Sequence, residues 1–178
     1  MGKIAAVLSA CLLLAFGCAL SGAPQLGKYG SEHSHADFKL YIEGVPYDFS
    51  QEKYQEPSGV EGQETCGDDG KMADLHDGDG DVVHKHATGV TWGYFFSTLN
   101  MTLADSCFTL DNGTGYCNGN GKKWEYFVNG DAVSSVKDLE MHDLDQVLIT
   151  YGATYEEAVR QQATVTSKSY NESTGGFC

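Results

Sequence analysis

Histidine and aspartate are concentrated in one stretch of this 178-residue sequence, "ADLHDGDGDVVHKHA", which covers residues 73–87. It holds three of the six histidines in the chain, His76, His84 and His86, around a run of alternating aspartate and glycine. Imidazole is a common transition-metal ligand, and Zn(II) and Cu(II) both accept nitrogen and oxygen donors. The stretch therefore indicates one of two structures, a transition-metal site or an ordinary acidic hairpin.

Two His-x-His pairs favour the metal site. In a strand, residues i and i+2 point to the same face, so His84 and His86 of "HKH" share a face. His33 and His35 of the earlier "HSH" do the same. The earlier pair either completes the site, supports its ligands or forms a second site.

The register of the hairpin decides whether its own ligands meet. A hairpin centred on Gly80 would put His76 opposite His84 and Asp74 opposite His86, giving one face with four ligands. A turn centred between two residues would make the pairing odd and divide this set between the two faces. The metal hypothesis depends on the first arrangement.

Two other metal motifs match the stretch only in part. Residues 77–81 begin like a calcium-binding loop, but Val82 occupies its glycine position and Thr88 its bidentate glutamate position. The "HKH" also resembles the start of a cupin motif, with Val90 and Thr91 where its glutamate is expected. Both motifs are less consistent with the sequence than a glycine-rich turn between His-bearing strands.

The first 21 residues, "MGKIAAVLSACLLLAFGCALS", predict an export signal. A charged start at Lys3 precedes an apolar run over residues 4–16, which is too short to span a bilayer comfortably. Two modes of processing stay open: "AFGC" is an imperfect lipobox that would lipidate Cys18, and an ordinary peptidase could cut after Ser21. Either one predicts an extracytoplasmic protein, secreted or anchored to the cell surface.

The remaining cysteines predict two disulfide bonds, as is usual for exported chains. Cys107 and Cys117 flank a turn signal centred on Asn112, so an antiparallel pairing would place them opposite each other. The pair Cys66–Cys178 then follows by elimination. Since there is no Cys-x-x-Cys motif, the cysteines are interpreted as structural rather than catalytic.

Charge and sequons are consistent with a surface protein. The formal net charge of −14 repels nucleic-acid backbones and attracts cations, which argues against nucleic-acid binding. Three glycosylation sequons begin at Asn100, Asn112 and Asn171.

The chain is divided into a linker (22–32), a His-rich domain (33–152) and a short helix with a flexible tail (153–178). Alternating apolar residues predict several strands, and "TGVTWGYFFSTLNM" predicts a helix capped by Thr91. The expected fold class is α+β: a mainly antiparallel sheet with one packed helix, β-grasp-like and stabilised by disulfides.

Three blocks, "HSHADFKLYIEGVPYDFS", "LHDGDGDVVHKHATGVTWGYFF" and "KKWEYFVNG...LITYG", resemble a largely uncharacterised family of small secreted domains from archaea and some bacteria. Some members carry an automatic label of protein-disulfide isomerase, which the cysteine spacing here does not support. The resemblance covers about residues 33–152. It implies a His-lined site, from which this sequence departs at Asp74, where another histidine is expected. The implied site residues are His33, His35, His76, His84 and His86.

The leading functional hypothesis is a secreted or surface-anchored module that binds copper or zinc and has no catalytic activity. Its ligands, in order of expectation, are His84, His86, His76, His33, His35 and Asp74. The alternatives are a metalloenzyme with an open His-rich site, a disulfide oxidoreductase or folding helper, and a structural surface protein. His142, alone in "EMHDLD", is interpreted as a polar turn residue. The sequence identifies no protein partner; the other partner that it suggests is a membrane, through lipid on Cys18.

Overall fold

The structure, a computed structural model, describes residues 24–56 and 71–171 as a mixed α+β fold made mostly of strands. The strands are β1 (Ser34–Ile42), β2 (Val45–Pro46), β3 (Ala73–Asp74), β4 (Val82–Lys85), β5 (Thr102–Leu103), β6 (Cys107–Thr109), β7 (Gly115–Cys117), β8 (Trp124–Val128), β9 (Asp131–Val133) and β10 (Gln146–Tyr151). The named helices are α1 (Trp92–Thr98) and α2 (Tyr155–Gln162), and a 3-10 turn covers Glu52–Tyr54.

Seven of the described strands form one sheet in the order β3–β4–β1–β10–β8–β9, with the short β2 also paired to β1. β1 and β10 run parallel, with Asp37 opposite Gln146. The remaining pairs in this sheet are antiparallel. β1 therefore lies between β4 and β10, so the strand that begins with the "HSH" motif is held in register from both sides.

One face of this sheet packs against α1 through aromatic side chains. Phe38 of β1 is fully buried, and its ring centre lies 5.3 Å from that of Phe95 and 5.9 Å from that of Trp92. Because rings at these separations exclude water and bury large apolar areas, this cluster forms the core. Successive side chains of β1 point to opposite faces of the sheet, so Phe38 lies on the core face and its two neighbours lie on the other face.

The start of α1 is the predicted one. The Thr91 side chain accepts a hydrogen bond from the backbone N–H of Tyr94 at 3.2 Å, which satisfies one of the unpaired donors of the first turn. The helix ends after Thr98, shortly before Asn100 adopts a left-handed conformation with φ of 58°.

The opposite face of β1 is attached to the residues that follow α2. The fully buried carboxylate of Asp37 accepts hydrogen bonds from the backbone N–H groups of Lys168 and Ser169, at 2.9 and 3.1 Å. The hydroxyl groups of Thr166 and Ser169 donate to the same carboxylate. The chain is therefore bound to the central strand as far as Ser169. The flexible tail predicted from the sequence also includes residues 172–178, which lie outside the described residues.

A small second sheet, β5–β6–β7, contains the predicted disulfide. Cys107 lies directly opposite Cys117, and the two sulfur atoms are bonded. In the next pair of this ladder, Phe108 packs its ring 4.8 Å from that of Phe96 on α1. The disulfide prediction for this pair is confirmed. Cys66 and Cys178, the second predicted pair, lie outside the described residues.

The α+β class, with mostly strands and few short helices, is as expected from the sequence. The β-grasp-like arrangement is not established by this strand order and stays a prediction. No helix within residues 24–56 and 71–171 combines the length and the apolar character needed to cross a bilayer.

Replacing both Cys107 and Cys117 with serine should lower the free energy of unfolding by about 2–3 kcal/mol. The bridge closes a short loop, with a sequence separation of 10, and so restricts the unfolded chain. Urea unfolding followed by tryptophan fluorescence measures the change. Dithiothreitol should lower the midpoint of the parent protein by more than it lowers that of the variant. A parent midpoint that does not respond to reductant would contradict the structural role of the bridge.

Candidate metal centre

The candidate site begins with a single row of residues across three neighbouring strands. β4 lies between β1 and β3, and its His84 faces His35 of β1 on one side and Asp74 of β3 on the other. Cross-strand neighbours of this kind have side chains on the same face, with Cβ atoms about 4.5–5.5 Å apart. One imidazole from each of two strands and one carboxylate from the third are therefore brought together by backbone pairing alone.

The other candidate ligands extend this row along the strands. His33 and His86 lie two positions from His35 and His84, on the same face. His76 follows Asp74 by two positions, and its ring centre lies 3.7 Å from that of His84. The structure thus places all six candidate residues named from the sequence on one face of the sheet.

The centre of the hairpin lies one residue earlier than predicted, so each cross-strand partner differs by two residues. Asp74 lies opposite His84, a place that the sequence analysis assigned to His76, so the hairpin is centred on Asp79 rather than on Gly80. The prediction of these individual pairs was wrong. The parity is nevertheless even, which is the condition that keeps the ligands on a common face.

The loop between β3 and β4 begins with a tight turn. Asp77 and Gly78 both have positive φ, at 59° and 71°, and the backbone N–H of Asp79 donates to the carbonyl of His76 at 3.1 Å. The next residue, Gly80, passes so close to the loop after β2 that a Cβ atom there would lie 2.4 Å from a backbone nitrogen. With Asp74 opposite His84 rather than His86, the segment between the two partners is two residues shorter than predicted.

Three imidazoles already have the spacing of a metal site. His33, His35 and His84 each offer one ring nitrogen, and these three nitrogens lie within 4.8 Å of one another. The Nε2 atoms of His33 and His35 are 3.1 Å apart. Two nitrogens on one tetrahedral zinc, with bonds of about 2.0–2.1 Å, are separated by about 3.3 Å. Small side-chain movements would therefore suffice to bind an ion.

The other two histidines of the cluster are paired with carboxylates. Nε2 of His86 lies 2.7 Å from Oδ2 of Asp74, and both side chains are buried. Nδ1 of His76 lies 2.8 Å from Oδ2 of Asp77 at the more exposed end of the face. Hydrogen bonds of this type fix the orientation of an imidazole ring and determine which nitrogen stays available.

One oxygen of the buried Asp74 carboxylate has no hydrogen-bond donor among the described residues. Asp74 is only 3 % exposed, and no donor among the described residues reaches its Oδ1 atom. A buried acceptor without a partner costs about 1–3 kcal/mol, so such an atom calls for an explanation.

Two residues that the sequence did not single out hold the site in place. Lys85, between the two histidines of "HKH", points to the opposite face and is 2 % exposed. Its ammonium group bonds to Glu32 at 2.9 Å, next to His33, and to the backbone carbonyl of Met141 at 2.7 Å. The alternation of "HKH" could have shown that this lysine faces the core side, but nothing in the sequence indicates its acceptors.

Asp143 is the second such residue. Its carboxylate accepts a hydrogen bond at 3.0 Å from the backbone N–H of His35, and the backbone N–H of Leu144 donates to the His35 carbonyl at 2.7 Å. The backbone of a central ligand is thereby fixed by the loop before β10. His142, from the same loop, is exposed, and its backbone N–H donates to Asp145 at 2.9 Å, in agreement with a polar turn residue.

Electrostatics favour the neutral, ligand-competent form of His33. Partial burial lowers the pKa of His33 below its usual value, and the neighbouring imidazoles of His86 and His84 lower it further. Asp74 opposes these effects without reversing them. Since a neutral imidazole is the form that binds metal, the environment prepares this residue for coordination near neutral pH.

Comparison of the chain with protein-family models, with curated proteins and with solved structures found no match. The geometry of the site is therefore what indicates a function.

The metal-free protein should become less stable as the pH falls through about 6.5, the usual pKa of histidine. Because the pKa of His33 is lowered by folding, the unfolded chain binds the proton more readily, so acidification favours unfolding. Urea unfolding in the presence of a chelator, at pH 7.5 and pH 5.5, measures the loss. His33→Gln should lose less stability than the parent over this interval. Equal losses in the two proteins would contradict the inference.

Proposed function

We propose that this protein is a transition-metal binding domain whose primary site is formed by His33, His35 and His84. The observation that carries the proposal is the convergence of three ring nitrogens within 4.8 Å of one another. Two of these imidazoles are buried, and the third lies at the exposed edge of the group. Such a group offers an ion three ligands in a partly enclosed position with access from solvent.

The donor set favours Zn(II) or Cu(II) over the other common metals. Imidazole nitrogens suit both of these ions, whereas calcium and magnesium require mainly oxygen ligands. Soft thiolate donors are not supplied by Cys107 and Cys117, which are bonded to each other in the second sheet. Copper or zinc is therefore the proposed cargo.

The charge of the chain supports the same function. A formal net charge of −14 raises the local concentration of cations around the protein and speeds their encounter with it. Almost all of that charge is outside the candidate site, where imidazoles supply the specific bonds.

We place this function outside the cytoplasm, as a secreted or surface-anchored module. The support is the export signal predicted over residues 1–21, with Cys18 as a lipid attachment point, and the resemblance to small secreted domains. The disulfide between Cys107 and Cys117 is consistent with an oxidising compartment. A β-grasp-like arrangement of the strands and glycosylation of the predicted sequons belong to the same proposal.

After loading with Zn(II) or Cu(II) and removal of excess ion, the mature protein should retain at least one ion per chain. A His35→Gln/His84→Gln variant should retain at least one ion per chain fewer than the parent, because it loses two of the three converging nitrogens. Elemental analysis beside circular dichroism measures metal content and folding together. His142→Gln, which removes an exposed histidine outside the group, is the matched control and should bind like the parent. A parent protein that stays metal-free would refute the proposed function.

A further inference from the structure

The primary site uses only half of the candidate ligands on this face. Asp74, His76 and His86 lie beside His33, His35 and His84 without belonging to the converging group. The ring of His86 lies 5.6 Å from that of His33, so the unused ligands are next to the primary site. These three residues offer one carboxylate and two imidazoles, which are also ligands for a cation.

Asp74 has one oxygen that the hydrogen-bonding pattern explains and one that it does not. Oδ2 bonds to Nε2 of His86 at 2.7 Å, whereas Oδ1 is buried and meets no donor within the described part of the chain. The surroundings are imidazoles rather than apolar groups: His84 is directly opposite on the neighbouring strand. A buried carboxylate oxygen beside imidazole nitrogens is an arrangement that a cation would complete.

An orienting role for Asp74 accounts for less of the structure. In many metal sites a carboxylate accepts a hydrogen bond from a histidine ligand and fixes the orientation of its ring. That role would explain the bond between Oδ2 and His86. It leaves Oδ1 buried without a partner, and this atom is the feature that needs a ligand.

We propose that Asp74 and His86 form a second cation position beside the three-histidine site, so that the domain binds two transition-metal ions. The inference rests on the proposed function, because it assumes that the neighbouring group is itself a metal site. Asp74 supplies the anionic ligand that the primary site lacks, and His86 supplies a nitrogen. The remaining coordination positions are open to water or to His76, whose Nδ1 bonds to Asp77.

Zinc stoichiometry tests this proposal. The mature protein, dialysed against excess Zn(II) and then desalted, should hold two zinc ions per chain. Asp74→Asn keeps the shape of the side chain but removes its charge, and it should hold one. His35→Gln/His84→Gln should also hold one or fewer. Asp131→Asn, an exposed aspartate on the strand at the other end of the sheet, is the control and should hold two.

The outcomes separate the two proposals. One zinc ion in both the parent and Asp74→Asn would overturn the second position and leave the proposed function intact, with Asp74 as an orienting residue. A parent that holds neither zinc nor, after the same treatment with Cu(II), copper would overturn both.

A spectroscopic measurement on the parent protein avoids dependence on variants that fold poorly. With two equivalents of Cu(II), neighbouring ions should couple, so the electron paramagnetic resonance spectrum should show dipolar broadening and a half-field transition. The spectrum of isolated Cu(II) ions, at either one or two ions per chain, would overturn the paired arrangement.

Discussion

The pairing of β4 with a strand on each side is the constraint on which the candidate site depends. His35, His84 and Asp74 lie in one row because β1, β4 and β3 are hydrogen-bonded in that order and in that register. A slip of one residue in either pair would send one of these side chains to the aromatic core. The same alternation that buries Phe38 against α1 therefore directs the imidazoles to the opposite face.

That face is unusual because it is buried and polar at once. The side chains of His35, His84 and His86 are each less than a tenth exposed. Asp74 is also buried, and within the described residues it is the buried carboxylate that faces these imidazoles. Groups of this kind are stable inside a protein when hydrogen bonds or ions satisfy them. The bonds present satisfy only part of the set. Ion binding would therefore add stability to the strands that carry the ligands, since a ligand that binds only the folded state shifts unfolding by mass action.

Much of this could be predicted from the sequence because it is local. The period of two in "HSH" and "HKH", the cap at Thr91 and the Cys107–Cys117 hairpin each depend on residues a few positions apart, and each agrees with the structure. The hairpin centre could not be predicted, because the alternating aspartates and glycines of "DGDGD" fit more than one centre and the contact of Gly80 with the backbone near Ser50 has no local signal. The converging group also combines ligands from strands that are far apart in the sequence. Periodicity cannot show which of the candidate ligands come together across such a distance. For the same reason, the burial of Lys85 against acceptors from two other segments had no local signal.

The parallel pairing of β1 with β10 has a consequence for the order of events during biosynthesis. All six candidate ligands lie between His33 and His86, whereas β10 begins at Gln146, so a growing chain presents every imidazole of the cluster before the centre of the sheet can close. Long-range pairing of this kind is slow to form. A metal ion that binds before β1 and β10 have paired would contact the same side chains before the sheet fixes the distances between them. For the proposed metal-binding function, the order of metal loading and sheet completion would therefore affect which complex forms.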